Sequence, residues 1–452
     1  MLAAVLAGVV RAMVAAAALA APPPPAATAF YVDPTYTGTG DGSARAPWRT
    51  LVEDRNPGFA EQWAAINRAL ADGSVTVYFS ARQARRDEPE ELVGSVRVER
   101  TDKSGHRLTL DGMSMWNADD AAPRWKSYTG TARMRIRMTR GCCFSIGWDD
   151  DVPRDHVTMR GFEVTGSGAR IRWGGSDTVL EYIWSHDVKG VGATVQFNAA
   201  VTDWPECRDL GRCEGITIRN NTIERGIGEG IYLAGTYTRT QDGGCPGYGV
   251  THRSILIEGN TIVDPGLNGE EGDGIDLKAG LVDVTVRNNV IRNPHAGRRG
   301  ADGITCLGEP GGSRTNYLIE GKRITGARHG MILGGLNGAV IRDNAVVGST
   351  RVGIYLCADP GRPDRAVEIT HNTVRGSGIG LGEVDGVVLR RNLLTGRGRQ
   401  ITGWNARGVD SDWNFMAPAG SEFPEGPHSV VDGRAPDGFG APVRSGGGPQ
   451  GP

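Results

Sequence analysis

The chain has 452 residues, of which 68 are Gly and 24 are Pro. Its 50 Lys and Arg residues nearly balance its 52 Asp and Glu residues, which leaves a formal net charge of −2. A chain so close to neutral has no overall field that would attract nucleic acid or an anionic membrane surface. We therefore expect any charged partner to be met at a local site.

The first 29 residues are apolar and rich in Ala, and they end in the small residues Ala27-Thr28-Ala29. This pattern predicts an export signal over residues 1–29, cleaved before Phe30. We therefore expect a secreted protein, or one held in the periplasm or at the cell surface. No later stretch approaches the roughly 20 apolar residues of a membrane span, so we predict none.

Residues 30–155 are predicted to form an N-terminal cap and the first, irregular coils of a repeated structure. Within them, segment 60–71 (AEQWAAINRALA) has a helical pattern and is expected to plug the N-terminal end. Segments 75–80 and 106–112 alternate apolar and polar residues, which predicts strands with one buried face.

Beyond residue 155 a short sequence phrase recurs. In it, alternating apolar and polar residues lead to a polar turn, and a few further β-strand residues follow. Its clearest copies are ITIRNNTI (216–223), ILIEGNTI (255–262), VTVRNNVI (284–291), YLIEGKRI (317–324), AVIRDNAV (339–346), VEITHNTV (367–374) and VVLRRNLL (387–394). The turn position holds Asn221, Asn260, Asn289, Asn344, Asn372 and Asn392, with Lys322 as the exception. Asn tolerates a tight bend and can bond to backbone or to the Asn of the next copy.

A second phrase follows each variable loop. Its copies are GIYL (230–233), GIDLK (274–278), GITCL (303–307), GMILG (330–334), GIYLC (353–357) and GIGLG (378–382). Each repeat thus holds about three short strands, and such units bury a continuous core only when they stack. We predict an all-β chain: a right-handed parallel β-helix with an N-terminal cap and long loops beside one sheet. The regular coils span 156–415, and 416–452 form a C-terminal cap and a Gly/Pro-rich tail.

The Asn-turn phrase, the second phrase and the opening FYVDPTYTGTGDGSARAPWRTL (30–51) resemble the pectate-lyase-like superfamily of secreted β-helix polysaccharide lyases and glycoside hydrolases. The resemblance covers about residues 30 to 415. It implies that the Asn turn joins the second and third strands of each coil. The strand after the long loop then belongs to a first sheet, whose outer face carries a substrate groove. It also implies a polysaccharide substrate and a monomer.

Ionisable residues occupy equivalent positions in successive strands of that first sheet, and we call this row of positions a column. Glu229, Asp273, Asp302 and His329 precede the Gly of successive second phrases, while Asp276 and Lys278 lie further along one of those strands. Adjacent coils stack about 4.8 Å apart, so stacked carboxylates repel unless a bound cation or a shared proton neutralises them. Loops 234–253, 263–272 and 292–301 are expected to wall this groove.

One interpretation of the column is a calcium-assisted lyase that cleaves an acidic, uronate-containing glycan by β-elimination. Asp273-Gly-Ile-Asp276 resembles the calcium-binding pattern of family-9 polysaccharide lyases, although Gly272 replaces its first Asp. The predicted calcium ligands are Glu229, Asp273, Asp276 and Asp302. Lys278 is the candidate base, and His329 is an auxiliary catalytic group.

Two alternatives remain open. The steps Asp273-Gly-Ile-Asp276, Asp302-Gly-Ile304 and His329-Gly330 also resemble polygalacturonases, with Ala301 where that family has an Asp. This interpretation implies a glycoside hydrolase that uses Asp273 and Asp302. The other alternative is a β-helix that binds glycans or forms a surface structure without catalysing a reaction.

Overall fold

The computed structural model describes residues 28–431, except for a set of shorter segments. These are residues 54–55, 81–90, 95, 102, 113–114, 118–119, 125–133, 139–143, 147–153, 168–170, 190–194, 198–212, 227, 234–251, 268–271, 279, 296–300, 308–313 and 358–361. The predicted export signal up to residue 27, much of the three predicted groove loops and the tail from residue 432 lie outside the described residues.

One sheet contains 13 parallel strands and corresponds to the predicted second sheet. In stacking order its strands are Thr28–Val32, Val75–Phe79, Leu108–Asp111, Val157–Arg160, Thr178–Glu181, Glu214–Arg219, His252–Glu258, Leu281–Arg287, Arg314–Glu320, Asn337–Arg342, Asp364–Thr370, Val384–Arg390 and Arg407–Asp412. Each strand pairs with strands 20 or more residues away, which is the pairing that a solenoid requires.

Two further stacks of parallel strands form the other walls. The third sheet contains Glu91–Val93, Met134–Met138, Phe162–Ser167, Trp184–Lys189, Thr222–Glu224, Thr261–Val263, Val290–Arg292, Arg323–Thr325, Ala345–Val347, Thr373–Arg375, Leu393–Gly403, Phe415–Ser421 and Val430–Val431. The first sheet contains Val96–Arg97, Phe144–Ile146, Ile171–Trp173, Val195–Phe197, Ile231–Leu233, Ile275–Leu277, Ile304–Cys306, Met331–Leu333, Ile354–Leu356 and Ile379–Leu381. Strand Leu393–Gly403 joins both, because its second half pairs with Ile379–Leu381.

Inward side chains from the three sheets form one continuous apolar core. Ile231 and Leu233 are fully buried, as are Ile275 and Leu277 one coil further on. This confirms the facing that the alternation predicts for the second phrase. A strand with one face in this core has its register set by that pattern, because a slip of one residue would expose the apolar set.

The predicted Asn turn is a hydrogen-bonded ladder. The amide nitrogen of Asn221 donates to Oδ1 of Asn260 at 2.9 Å, and Asn260 donates to Asn289 in the same way. The ladder resumes at Asn344 and runs through Asn372 and Asn392 to Asn414, a further copy that the sequence phrase did not reveal. Each amide also bonds a strand carbonyl, so the buried side chains are satisfied.

The N-terminal part belongs to the same solenoid. The only helix of the described residues, Phe59–Asp72, packs Trp63, Ile66 and Leu70 into the core, which confirms the predicted helix. Strand Val157–Arg160 pairs with Leu108–Asp111 on one side and Thr178–Glu181 on the other, so the second sheet continues across the predicted boundary at residue 155. A small antiparallel hairpin, Met115–Asn117 with Asp120–Arg124, completes the described strands.

The second sheet begins at Thr28, and the predicted cleavage point before Phe30 therefore lies inside its first strand. In the described residues, no helix has the length and apolar character needed to span a membrane.

Candidate functional site

The first sheet brings the predicted site residues together in two adjacent columns. One column stacks Tyr232, Asp276, Thr305, Ile332 and Tyr355 in consecutive coils. The other stacks Glu229, Asp273, Asp302, His329 and Val352, since the Gly after each member bonds to the carbonyl of the next member. The glycines are needed at these points, because a Cβ at Gly274 or Gly303 would lie within 2.6 Å of the next coil's carbonyl oxygen.

Asp302 lies at the centre of the second column and is only 2% exposed. Arg328 donates to both of its oxygens, from Nε to Oδ1 at 3.1 Å and from Nη2 to Oδ2 at 2.8 Å. The backbone N–H of His329 donates to Oδ1 at 2.9 Å, and Nδ1 of the same His lies 3.0 Å from that oxygen. Burial by itself opposes ionisation, but the hydrogen bonds from His329 and Arg328 lower the pKa of Asp302 below its usual value.

Asp273 lies on the same coil as Asp276 and is bonded to the next coil, which carries Asp302. Its Oδ1 accepts a hydrogen bond from the backbone N–H of Asp302 at 2.7 Å, and its Oδ2 accepts one from the hydroxyl of Thr305 at 2.7 Å. Burial raises the pKa of Asp273, and the nearby charge of Asp302 adds to that effect. Both oxygens of this carboxyl are therefore occupied by groups of the protein.

Asp276 differs from the other two carboxyl groups. Its Oδ2 lies 2.7 Å from Nζ of Lys278, whereas its Oδ1 is buried and has no hydrogen-bond partner among the described residues. Burial raises the pKa of Asp276 to about 7, against the lowering effect of Lys278, and the charges of Asp273 and Glu229 raise it further. At neutral pH this carboxyl group is poised between its protonated and ionised forms.

Partly exposed groups lie around these buried carboxyls. Nζ of Lys278 lies 5.3 Å from the centre of the Tyr232 ring, and the Lys278 side chain is 21% exposed. Tyr355 stacks on His329 with 5.9 Å between ring centres. Arg328, 32% exposed, adds a second cation beside Asp302. The accessible part of the site is therefore cationic and aromatic, over a buried layer of carboxyl groups.

The carboxyl groups do not present the set of free oxygens that calcium requires. Calcium takes six to eight oxygen ligands. Of the six oxygens of Asp273, Asp276 and Asp302, five already contact protein donors or Lys278, and only Oδ1 of Asp276 has none. Among the described residues, no three His, Cys, Asp or Glu side chains are arranged to hold a metal ion. The three Asp side chains therefore do not offer a free set of calcium ligands, and calcium binding, with Glu229 as the fourth predicted ligand, stays a prediction.

Two functional contacts escaped the sequence analysis. Arg328, the main cationic partner of Asp302, is adjacent in the chain to the predicted His329, yet nothing in its spacing shows that it turns toward the carboxyl group. Thr305 is not among the predicted site residues, yet its hydroxyl donates to Asp273. Arg328 and Thr305 both lie on coils that carry a residue of the predicted column, and this proximity was the one signal in the sequence that pointed to them.

Residues 209–412 match the model of a protein family described as right handed beta helix region. The chain folds as a right-handed parallel β-helix. The fold predicted from the repeated phrases is thereby confirmed, as is the resemblance to the β-helix superfamily at the level of fold. No curated protein has a sequence that matches this chain significantly.

Several solved structures are similar to this β-helix. The A-module of a mannuronan C-5 epimerase from Azotobacter vinelandii is 14% identical, with 89% of this chain and 100% of that chain covered and a TM-score of 0.49. A lacto-N-biosidase from Eubacterium ramulus is 11% identical, with 89% and 68% covered and a TM-score of 0.44. An alginate lyase from a Paenibacillus species is 13% identical, with 82% and 97% covered and a TM-score of 0.30. Similarities this low concern the fold and carry no argument about the reaction.

Proposed function

We propose that this β-helix acts on a polysaccharide and hydrolyses a glycosidic bond at the outer face of its first sheet. The observation that carries the proposal is the contrast between two neighbouring carboxyl groups. Asp276 has a pKa raised to about 7, while that of Asp302 is lowered. Glycoside hydrolysis uses one carboxyl group that is protonated and one that is ionised, and environments that push two pKa values apart mark such a pair.

In this proposal Asp276 is the proton donor to the leaving glycosidic oxygen. Its Oδ1 is the one oxygen of the three Asp side chains that no group of the described residues occupies; it is buried, so substrate reaches it only when the partly exposed side chain of Lys278 moves aside. A buried polar atom without a partner costs roughly 1–3 kcal/mol, which a hydrogen bond to substrate would offset. Asp302, kept ionised by Arg328 and His329, is the group that orients and deprotonates the attacking water.

An acidic polysaccharide fits this face better than a neutral one. Lys278 and Arg328 are both partly exposed, and each carries a positive charge beside the buried carboxyl groups. A uronate carboxylate can pair with either cation. The aromatic rings of Tyr232 and Tyr355 border the same columns and offer flat surfaces to sugar rings.

The test is incubation of the purified protein with polygalacturonate, alginate, hyaluronan, chondroitin and neutral xylan. We expect new reducing ends from an acidic polymer, without the ultraviolet absorbance of an unsaturated uronate. Asp276→Asn is expected to lower kcat by about 10²–10⁴-fold, the usual contribution of a general acid.

The matched control is Asp385→Asn, which makes the same change at an exposed residue of the second sheet. We expect it to retain the wild-type rate. Full activity of Asp276→Asn, or no reducing ends from any polymer, would sink the proposed hydrolysis. Binding of a polymer without cleavage would support the non-catalytic alternative.

Calcium-assisted β-elimination of a uronate is the second candidate, and the position of Lys278 favours it. This amine is partly exposed on the substrate face, beside the phenol of Tyr232. Its ion pair with Asp276 opposes the role, since an ammonium group cannot accept a proton until it has lost its own. Unsaturated product that disappears in Lys278→Met and after treatment with a chelator would establish this reaction and replace the hydrolysis proposed above.

A further inference from the structure

Trp404 is the most exposed of the large hydrophobic side chains among the described residues, at 67%. Trp404 lies at the end of the first sheet, directly after the half-strand that pairs with Ile379–Leu381. Its backbone N–H donates to the carbonyl of Leu381. A single exposed aromatic ring needs no partner for stability, but an indole this exposed offers a flat surface on which a sugar ring can stack.

The register of the first sheet places Trp404 in the same column as Lys278. That column directly follows the last paired residue of each first-sheet strand and runs through Lys278, Leu307, Gly334, Cys357, Gly382 and Trp404. Five coil steps separate its two ends, a span of about 24 Å at the usual spacing of paired strands. Trp404 therefore lies along the same edge of the first sheet as Lys278, several linked sugar rings away from the carboxyl groups.

Between Lys278 and Trp404 the residues of these two columns carry no charge. Beyond Tyr355 the two outward columns hold only Gly380, Gly382 and Thr402 before Trp404 is reached. The ring of Tyr355 leans over Gly380, where a Cβ would lie 2.8 Å from Cδ2 of the ring. Small residues flanked by one aromatic ring at each end form a strip on which an extended chain can lie flat.

We propose that Trp404 is a remote sugar-binding subsite, on which a pyranose ring of a long polysaccharide stacks while the carboxyl groups act on a bond about five coils away. The inference rests on the proposed function, since it takes a polysaccharide as the ligand. It adds that the substrate is a polymer, and that short oligosaccharides cannot reach from Asp276 to Trp404.

The test separates binding from turnover. Native electrophoresis in gels that contain each polymer of the panel measures binding, and kcat/KM on polymer and on a disaccharide or trisaccharide of the same sugar measures turnover. For Trp404→Ala we expect reduced retardation in the gel and about tenfold lower kcat/KM on polymer, with no change on the short substrate. Trp404→Phe keeps a flat ring and should recover most of both losses.

Trp413→Ala is the control, because Trp413 is also exposed, at 43%, but stacks on His428 after the second sheet. We expect it to behave as the wild type. Equal kcat/KM on polymer for Trp404→Ala and the wild type would overturn the subsite and leave the hydrolysis standing. Retardation lost in Trp404→Ala, with no reducing ends from the wild type, would overturn the hydrolysis and leave the subsite. A wild type that no polymer retards would contradict the subsite.

Discussion

Asp276 and Asp302 have the same side chain and lie one coil apart, yet their surroundings favour opposite protonation states. Asp302 receives donors on both oxygens, from Arg328 and His329. Asp276 is equally buried but has one cation on one oxygen and nothing on the other. Only 2% of each residue is exposed, and the hydrogen bonds from His329 and Arg328 are what lower the pKa of Asp302.

This contrast leads to a prediction about the pH dependence of hydrolysis. Asp276 must hold a proton to act as the acid, so we expect kcat to fall as the pH rises through about 7. Lys278 lowers the pKa of Asp276, so Lys278→Met should move this fall to higher pH. The measurement is kcat against pH for both proteins, and an alkaline limb that stays in place in the variant would contradict the assignment.

Lys322 is a second residue whose surroundings oppose its charge. It replaces Asn in the turn ladder, is fully buried, and its Nζ has no hydrogen-bond partner. Burial holds the pKa of Lys322 well below its usual value. In the unfolded chain the same amine stays protonated up to about pH 10.4, so unfolding takes up a proton over the interval between the two values.

We therefore predict that the contribution of Lys322 to the stability of the wild type rises with pH up to about 10.4, by at most about 1.4 kcal/mol per pH unit. Lys322→Asn should remove that contribution and raise the stability at neutral pH, because it also restores the ladder between Asn289 and Asn344. Lys322→Met is the comparison, since it removes the charge without restoring the ladder. Denaturant unfolding at neutral and alkaline pH measures both effects, and equal pH dependence in all three proteins would contradict the prediction.

At the scale of the element, the second sheet carries a column of alternating charge along its edge. Consecutive coils place Asp111, Arg160, Glu181, Arg219, Glu258, Arg287, Glu320 and Arg342 in register. Each Arg pairs with an acidic neighbour, as Arg287 does with Glu258 at 2.8 Å. Opposite charges directly across a strand pair stabilise it, and like charges destabilise it.

Arg287→Glu is predicted to destabilise the fold, because it places three acidic side chains in consecutive coils. Exposed ion pairs contribute roughly 0.2–1 kcal/mol each, so we expect a loss of about 1–2 kcal/mol that shrinks at high salt. Arg292→Glu makes the same charge change on the same coil, at an exposed residue between Val263 and Thr325 in the third sheet. Thermal unfolding at low and high salt separates the two, and equal losses in both variants would show that the column has no special role.

At the scale of the whole molecule, the site exists only because coils stack. Glu229 and His329 are 100 residues apart in the chain, and they share a column because each coil pairs with the next. The same stacking carries the substrate face on to Trp404 without any further element. In a solenoid each coil contacts only its neighbours, so the length of the face grows with the number of coils.

The alternation of apolar residues and the repeated Asn turn were sufficient to predict the fold and the three sheets. Such local patterns repeat in every coil, and each copy supports the same register. Alignment of the repeated phrases also predicted the column from Glu229 to His329, and the structure contains this column. It also predicted helix 60–71, because that apolar spacing is local as well.

Only the tertiary structure decided which hydrogen-bond partners each site residue has and in which direction its pKa is shifted. The sequence shows that Asp273, Asp276 and Asp302 lie near one another, but not that Thr305 and Arg328 occupy two of them and leave an oxygen of Asp276 free. Those contacts depend on side-chain directions and on burial across coils, which have no period in the sequence. The repeat thus determined where the chemistry lies, and the packing between coils determined which carboxyl group keeps its proton.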